Sequence, residues 1–141
     1  VGFSLVAAFS VIGVTALISI EIFTGAILPT LTDFDDSYDE MIERKIDRIQ
    51  TMINITNVSN SVNGSNYDHN ITVKNKGSVT LKTIDFTILI NGTKQQFISS
   101  KLYLYPEQNS YFNIYNISGS GTKILKVITN NGISDYYQYT I

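Results

Sequence analysis

Residues 71–92 read ITVKNKGSVTLKTIDFTILING, and the fold of the larger part of the chain follows from them. Ile71–Lys74 alternates apolar and polar residues, and Asn75-Lys76-Gly77 then turns the chain. Val79–Ile90 puts Ile84, Phe86, Ile88 and Ile90 on one face of a strand. Asn91-Gly92 is a two-residue hairpin signal, because both residues tolerate the positive φ that the favoured turn requires.

The same pattern continues downstream. Lys94–Ile98 returns as a strand, Leu102–Tyr105 precedes Pro106, and Ser110–Ile117 alternates through Tyr111, Asn113 and Tyr115. Thr122–Thr129 and Ile133–Ile141 flank a second hairpin signal, Asn131-Gly132. About seven short strands in about 85 residues, with regular turns, predict an all-β, immunoglobulin-like antiparallel β-sandwich over residues 54–141. The Cys–Trp–Cys core of true immunoglobulin domains is absent, since the chain has no Cys and no Trp. Upstream, NVSNSVNGSNYDHN (residues 57–70) reads as loop or sheet edge.

The N-terminal part is different in kind. VGFSLVAAFSVIGVTALISI (residues 1–20) carries no charge, Glu21 follows, and apolar residues resume to Leu28 before Pro29. A helix rises ~1.5 Å per residue and the hydrocarbon core is ~30 Å thick, so residues 1–28 predict a single transmembrane helix ending at Pro29. Small residues recur at Ala7, Ser10, Gly13, Ala16 and Ser19, and such residues let membrane helices approach closely. Glu21 is read either as a headgroup-level carboxylate or as the contact to a polar group on a partner helix. Lys and Arg are absent before the span, and the nearest after it are Arg44 and Lys45, so the positive-inside rule gives little direction. The expected placement is single-pass in the cytoplasmic membrane, N-terminus inside and the β domain outside.

Residues 29–53 form the connection. Asp33–Ile53 has helical spacing, with Asp33 as N-cap, an acidic first turn and Arg44, Lys45 and Arg48 later, as the helix dipole prefers. Ile42, Ile46, Ile49 and Ile53 form a stripe that packs either on the chain's own sandwich or on a second copy, as a homodimer would. Residues 1–53 hold eight acids and three bases, whereas residues 54–141 hold four acids and seven bases.

Chemistry is sparse. Without Cys and with one His, thiolate sites and multi-histidine metal sites are excluded, and the net charge of −2 gives no basic excess for nucleic acid. Asp68 beside His69 admits a catalytic or metal reading or a plain polar segment. No Ser/His/Asp spacing, phosphate loop or calcium loop is present, so neither catalysis nor a cofactor is expected. Asn-x-Ser/Thr sequons occur at Asn54, Asn57, Asn63, Asn70, Asn91 and Asn116, about twice the number that chance gives for this composition. Tyr136, Tyr137 and Tyr139 read as an aromatic platform or as ordinary sandwich face.

The start GFSLVAAFSVIGVTALISIEIFTGAI, the acidic helix and the phrase ITVKNKGSVTL resemble the FlaF (ArlF) accessory family of the archaellum, the archaeal flagellum. That family opens on G-F-S, crosses the membrane once, and carries a V-x-N-x-G strand and turn in a β-sandwich; here these are Val73, Asn75 and Gly77. Val1 stands before the motif as an unusual start codon or a processed end. The resemblance implies a stator part whose sandwich reaches the S-layer protein in the pseudoperiplasm, with a FlaG-type protein and the motor's membrane components as partners. The rival is a structural filament subunit, an archaellin or type IV-like pilin. Its weakness is Leu5, where type IV pilins often carry Glu, together with the acids from Asp33 onward, which are costly in a filament core. A membrane-tethered carbohydrate-binding module is a third class. The span has a direct check: the full chain should stay in the membrane pellet at high salt and leave it only with detergent. Release by salt alone would remove the span.

Overall fold

The computed structural model describes residues 2–141; Val1, whose origin the sequence leaves open, lies outside the described residues. The chain divides into two compact units, one extending to Glu43 and the other spanning Arg44–Ile141.

The N-terminal segment is helical throughout. Helix α1 spans Gly2–Ile22, a π-helical turn follows at Phe23–Ile27, and α2 runs Leu28–Gln50. By length and composition this helical stretch is able to cross a membrane. Its hydroxyls are satisfied within the helix, as a lipid surrounding would require. Ser10, Thr15, Ser19 and Thr24 each donate to a carbonyl one turn back, at 2.8–3.0 Å.

Two expectations change here. Pro29 does not end the helix but lies within the first turn of α2. Proline has no N–H, and its ring presses on the carbonyl four residues back, that of Gly25. The widened turn just before it, in which the Leu28 N–H reaches Phe23 O, relieves that crowding without breaking the rod. Asp33 consequently is no N-cap. It sits inside α2, and its carbonyl accepts from Ser37 Oγ at 2.7 Å.

The second unit is an antiparallel sandwich with ten strands: β1 Ile53–Asn63, β2 Asn66–Asn75, β3 Leu81–Lys82, β4 Thr87–Ile90, β5 Thr93–Gln95, β6 Ile98–Ser99, β7 Tyr103–Leu104, β8 Asn109–Ile117, β9 Thr122–Ile128 and β10 Ser134–Thr140. One sheet has the order β1-β2-β8-β6 and the other β10-β9-β4-β5, while β3 and β7 form a small pair. Inward residues from both sheets make the core: Ile71, Val73, Ile88, Phe112, Ile114, Leu125 and Val127 are fully buried or nearly so. Phe112 lies at its centre, stacked on Phe86 (5.5 Å between centroids) and edge-on to Phe97 (5.3 Å).

Residues 57–70, expected as loop or edge, form most of a long hairpin; the loop reading fails, while the edge reading holds for β1, which borders its sheet. Its cross-strand partners are polar (Ser59↔Asn70, Ser61↔Asp68, Asn63↔Asn66), which hides the period-2 signal, and Gly64 supplies the turn with φ 65°. Ile84 also departs from expectation. A 3-10 turn at Thr83–Asp85 interrupts the strand and leaves it exposed, because Thr83 is the buried residue there, with Oγ donating toward the carbonyls of Lys101 and Leu102.

Asn75 holds the end of the sandwich together. It is fully buried and every polar atom is used. Nδ2 donates to Val79 O (2.8 Å) and Leu104 O (3.0 Å), and Oδ1 accepts from the Gly77 N–H (2.9 Å). Its own N–H donates to Gln108 O and its carbonyl accepts from the Glu107 N–H. Asn75→Ala leaves two carbonyls in the interior without this partner, at an expected cost of about 2–4 kcal/mol. Thermal unfolding of the full chain in detergent should show a clear loss; an unchanged midpoint would mean that water replaces the carboxamide.

Candidate functional site

Two places in the Arg44–Ile141 unit combine buried polar groups with long-range contacts. The first is where α2 ends. The Lys76 and Gly77 N–H groups both donate to Met52 O (2.8 and 3.0 Å), and the Ser78 N–H donates to Gln50 O (3.0 Å). These bonds satisfy carbonyls at the helix terminus that otherwise lack partners. A Cβ on Gly77 would lie 2.6 Å from Met52 N and closer still to Gln50 O, so glycine is required by close approach of two backbones. From the other side, Asn131 in the β9–β10 turn donates through Nδ2 to Thr51 Oγ, and Thr51 Oγ donates to Asp47 O (2.7 Å). Thr129 Oγ in turn contacts Asn131 Oδ1 at 2.6 Å. The end of the helix is thus gripped by two separate turns.

The second place is the seam between the edge strands β1 and β10. Asp135 Oδ2 accepts the Ile55 N–H at 2.7 Å, beside the bulge between Ile55 and Asn57. Asn60 Nδ2 donates to Thr140 O, and Asn60 Oδ1 lies 2.8 Å from His69 Nδ1. That contact assigns the proton to Nδ1 and leaves Nε2 as a buried acceptor without a partner, edge-on to Tyr139 at 5.1 Å between ring centroids. The Tyr139 hydroxyl is likewise buried and unpaired, and burial pushes it up to about 12. His69 is held below its ordinary value chiefly by burial; Asp68 opposes this and Lys123 adds to it.

Asp68 and His69 do not act together. As successive strand residues they face opposite sides. Asp68 accepts from the Asn116 N–H (2.9 Å) and Asn63 Nδ2 (3.0 Å) on the surface, while His69 points into the core. Among the described residues no group of three His, Cys, Asp or Glu could hold a metal ion. Of the tyrosines near the C-terminus, Tyr139 is buried and Tyr137 packs against the core, whereas Tyr136 is exposed with Lys126 Nζ 5.0 Å above its ring.

Ala7, Ser10, Gly13 and Ala16 lie exposed on α1, as does Glu21, and open space surrounds the Gly13 Cα. The isoleucine stripe is not one face. Ile53 leaves the helix to become the first core residue of β1, whereas Ile42, Ile46 and Ile49 are exposed, Ile49 by 83%. Thr51 and Asn131 end the helix at Gln50, three residues sooner than periodicity implied. The sequons divide by environment. Asn54 and Asn70 are half-buried in β1 and β2, Asn57 and Asn63 are exposed on β1, Asn91 sits in the β4–β5 turn, and Asn116 is the last residue but one of β8, with φ 64°.

Sequence reasoning missed His69, Asp135 and Asn131 as structural groups. The signal for Asp135 was available: it shares strand parity with the inward Tyr137 and Tyr139. His69 yields a pH prediction. Its folded form prefers the neutral ring, so below the ordinary value of 6.5 the unfolded chain takes up a proton that the folded chain refuses. Its share of the stability is therefore complete above that pH and is lost as pH falls through the lowered folded value. Melting of the full chain between pH 7.5 and about pH 5 should show a decline that His69→Gln reduces; equal slopes in both proteins would remove the histidine from the seam's energetics.

No protein-family profile matches the chain. Its sequence is 26% identical over 137 residues to the putative flagella-related protein F of Methanocaldococcus jannaschii, covering 93% of this chain and 97% of that protein. Its fold is similar to the archaellum periplasmic stator protein FlaG from Sulfolobus acidocaldarius, with a TM-score of 0.54 and 18% identity over 63% of this chain and 99% of that one. The latter likeness establishes a shared β-sandwich. The former covers helix and sandwich alike, so the chain is similar over nearly its whole length to the archaellum accessory FlaF family, as the G-F-S start and the Val73, Asn75, Gly77 turn imply.

Proposed function

We propose that this chain is a non-enzymatic, membrane-anchored stator component of the archaellum motor. Its helix lies in the cytoplasmic membrane with the N-terminus inside, and its sandwich stands outside, binds the S-layer protein and holds the motor static. A FlaG-type protein is its partner. The observation that carries this reading is the joint at the end of α2. A static anchor has to pass force from membrane to envelope, and a Gly/Ser linker would dissipate it as a random coil. Here Gln50, Thr51 and Met52 are instead bound by the 76–78 and 129–131 turns. The match with the flagella-related protein F along both parts of the chain supports the same assignment.

The exposed Ile42, Ile46 and Ile49 then have a role that the sandwich does not fill. In this reading they meet a second copy or a partner helix. Ile46→Asp with Ile49→Asp alters no core contact, since both side chains are exposed. The expected outcome is loss of swimming, with filaments assembled and the protein retained in the membrane at its usual level. Normal swimming would leave the stripe without a role in force transmission. Loss of filaments, or recovery of the chain at high copy from sheared filaments, would favour the filament-subunit reading.

A further inference from the structure

The six sequons are equivalent in sequence but not in the fold. An asparagine accepts a glycan through its carboxamide nitrogen, and the hydroxyl two residues on is part of what the transferase recognises. The folded domain uses up one or other of these groups at three positions. Asn70 Nδ2, on the central strand β2, donates to Asn113 Oδ1 at 2.6 Å. Asn63 Nδ2 donates to the Asp68 carboxylate at 3.0 Å. Asn54 is half-buried, and its Thr56 hydroxyl donates to Thr72 O at 3.2 Å.

Three positions differ. Asn116 is exposed near the end of β8; its N–H donates to Asp68 Oδ1 and its Oδ1 accepts from Asn66 Nδ2 at 2.6 Å, but Nδ2 and the Ser118 hydroxyl are free. Asn57 is exposed beside the bulge on β1, an edge strand, and its side chain makes no hydrogen bond. Its Ser59 hydroxyl lies 3.5 Å from Asn70 O, at the long limit for a bond. Asn91 stands in the β4–β5 turn with φ 49°. Its Oδ1 accepts the Ile124 N–H at 2.8 Å, which turns Nδ2 away from the sheet, and both Nδ2 and the Thr93 hydroxyl are free.

We propose that Asn57, Asn91 and Asn116 are the N-glycosylation sites of this protein. The donor is an oligosaccharide on a polyprenyl phosphate carrier, used by a membrane transferase on the outer side. The carboxamide nitrogen forms a bond to the anomeric carbon, and the bond from that carbon to the carrier's phosphate oxygen breaks. The carrier phosphate leaves with the electron pair, and the amide proton passes to a base of the transferase. The inference rests on the outward placement of the sandwich proposed above.

The test is glycopeptide mapping of the full chain purified from its own membranes, with the intact mass. The expected result is a mass above that of the sequence and glycans on the peptides holding Asn57, Asn91 and Asn116. Asn57→Gln, Asn91→Gln and Asn116→Gln should each remove one increment, and Asn70→Gln none. Glycans at Asn54, Asn63 or Asn70 with Asn57, Asn91 and Asn116 bare would overturn the assignment. Because the chain has no Cys, Ser120→Cys in the exposed 118–121 loop reports topology through a membrane-impermeant maleimide on intact cells. Labelling without any glycan would overturn the sites and leave the topology standing. Absence of both would overturn the topology and the sites with it.

Discussion

The buried carboxamide of Asn75 is the interaction on which most of the second unit depends. A polar group of that kind costs free energy in the interior unless each of its atoms is matched. Here the match draws together three separate stretches: the 77–79 turn, β7 through Leu104, and the 107–108 turn. Because Oδ1 holds the Gly77 N–H, the turn takes the one shape in which Gly77 can lie against the backbone of residues 50–52. The V-x-N-x-G phrase is therefore a single device. Val73 fills the core, Asn75 sets the turn, and Gly77 provides room for the helix end.

The helical part is suited to a different solvent. In water, exposed apolar residues along α1 would be a liability; in lipid they match the surroundings, and only the polar atoms need partners. Back-bonding of Ser10, Thr15, Ser19 and Thr24 meets that need inside the segment. The same economy explains Pro29, since a wider turn accommodates the missing donor at less cost than ending the helix. Glu21 remains the one ionisable side chain before Asp33.

Much of the fold is legible in the sequence where one face is apolar. Phe86, Ile88 and Ile90 announce their strand, and Asn91-Gly92 and Asn131-Gly132 announce their hairpins. Legibility fails where polar residues do structural work. The β1–β2 hairpin pairs Asn and Ser across its strands, and the buried His69 is partnered by the exposed Asn60, so alternation carries no hydrophobic mark. Periodicity misplaces the helix boundary because Ile53 continues the heptad spacing, although the bonds that stop the helix come from residues about 30 and about 80 positions away in sequence. The joint itself was half-visible: Gly77 belongs to a recognisable phrase, whereas its counterpart Asn131 looks like an ordinary turn residue.

The two grips on the end of α2 also impose an order on biogenesis. The helix is synthesised first and is complete at Gln50, but the turn that holds Ser78 against it comes about 30 residues later and Asn131 about 80 residues later. The grip on the end of α2 therefore closes only when β9 and β10 have been made. A chain cut short before that point would keep the helix but lack the Asn131 hold on its end.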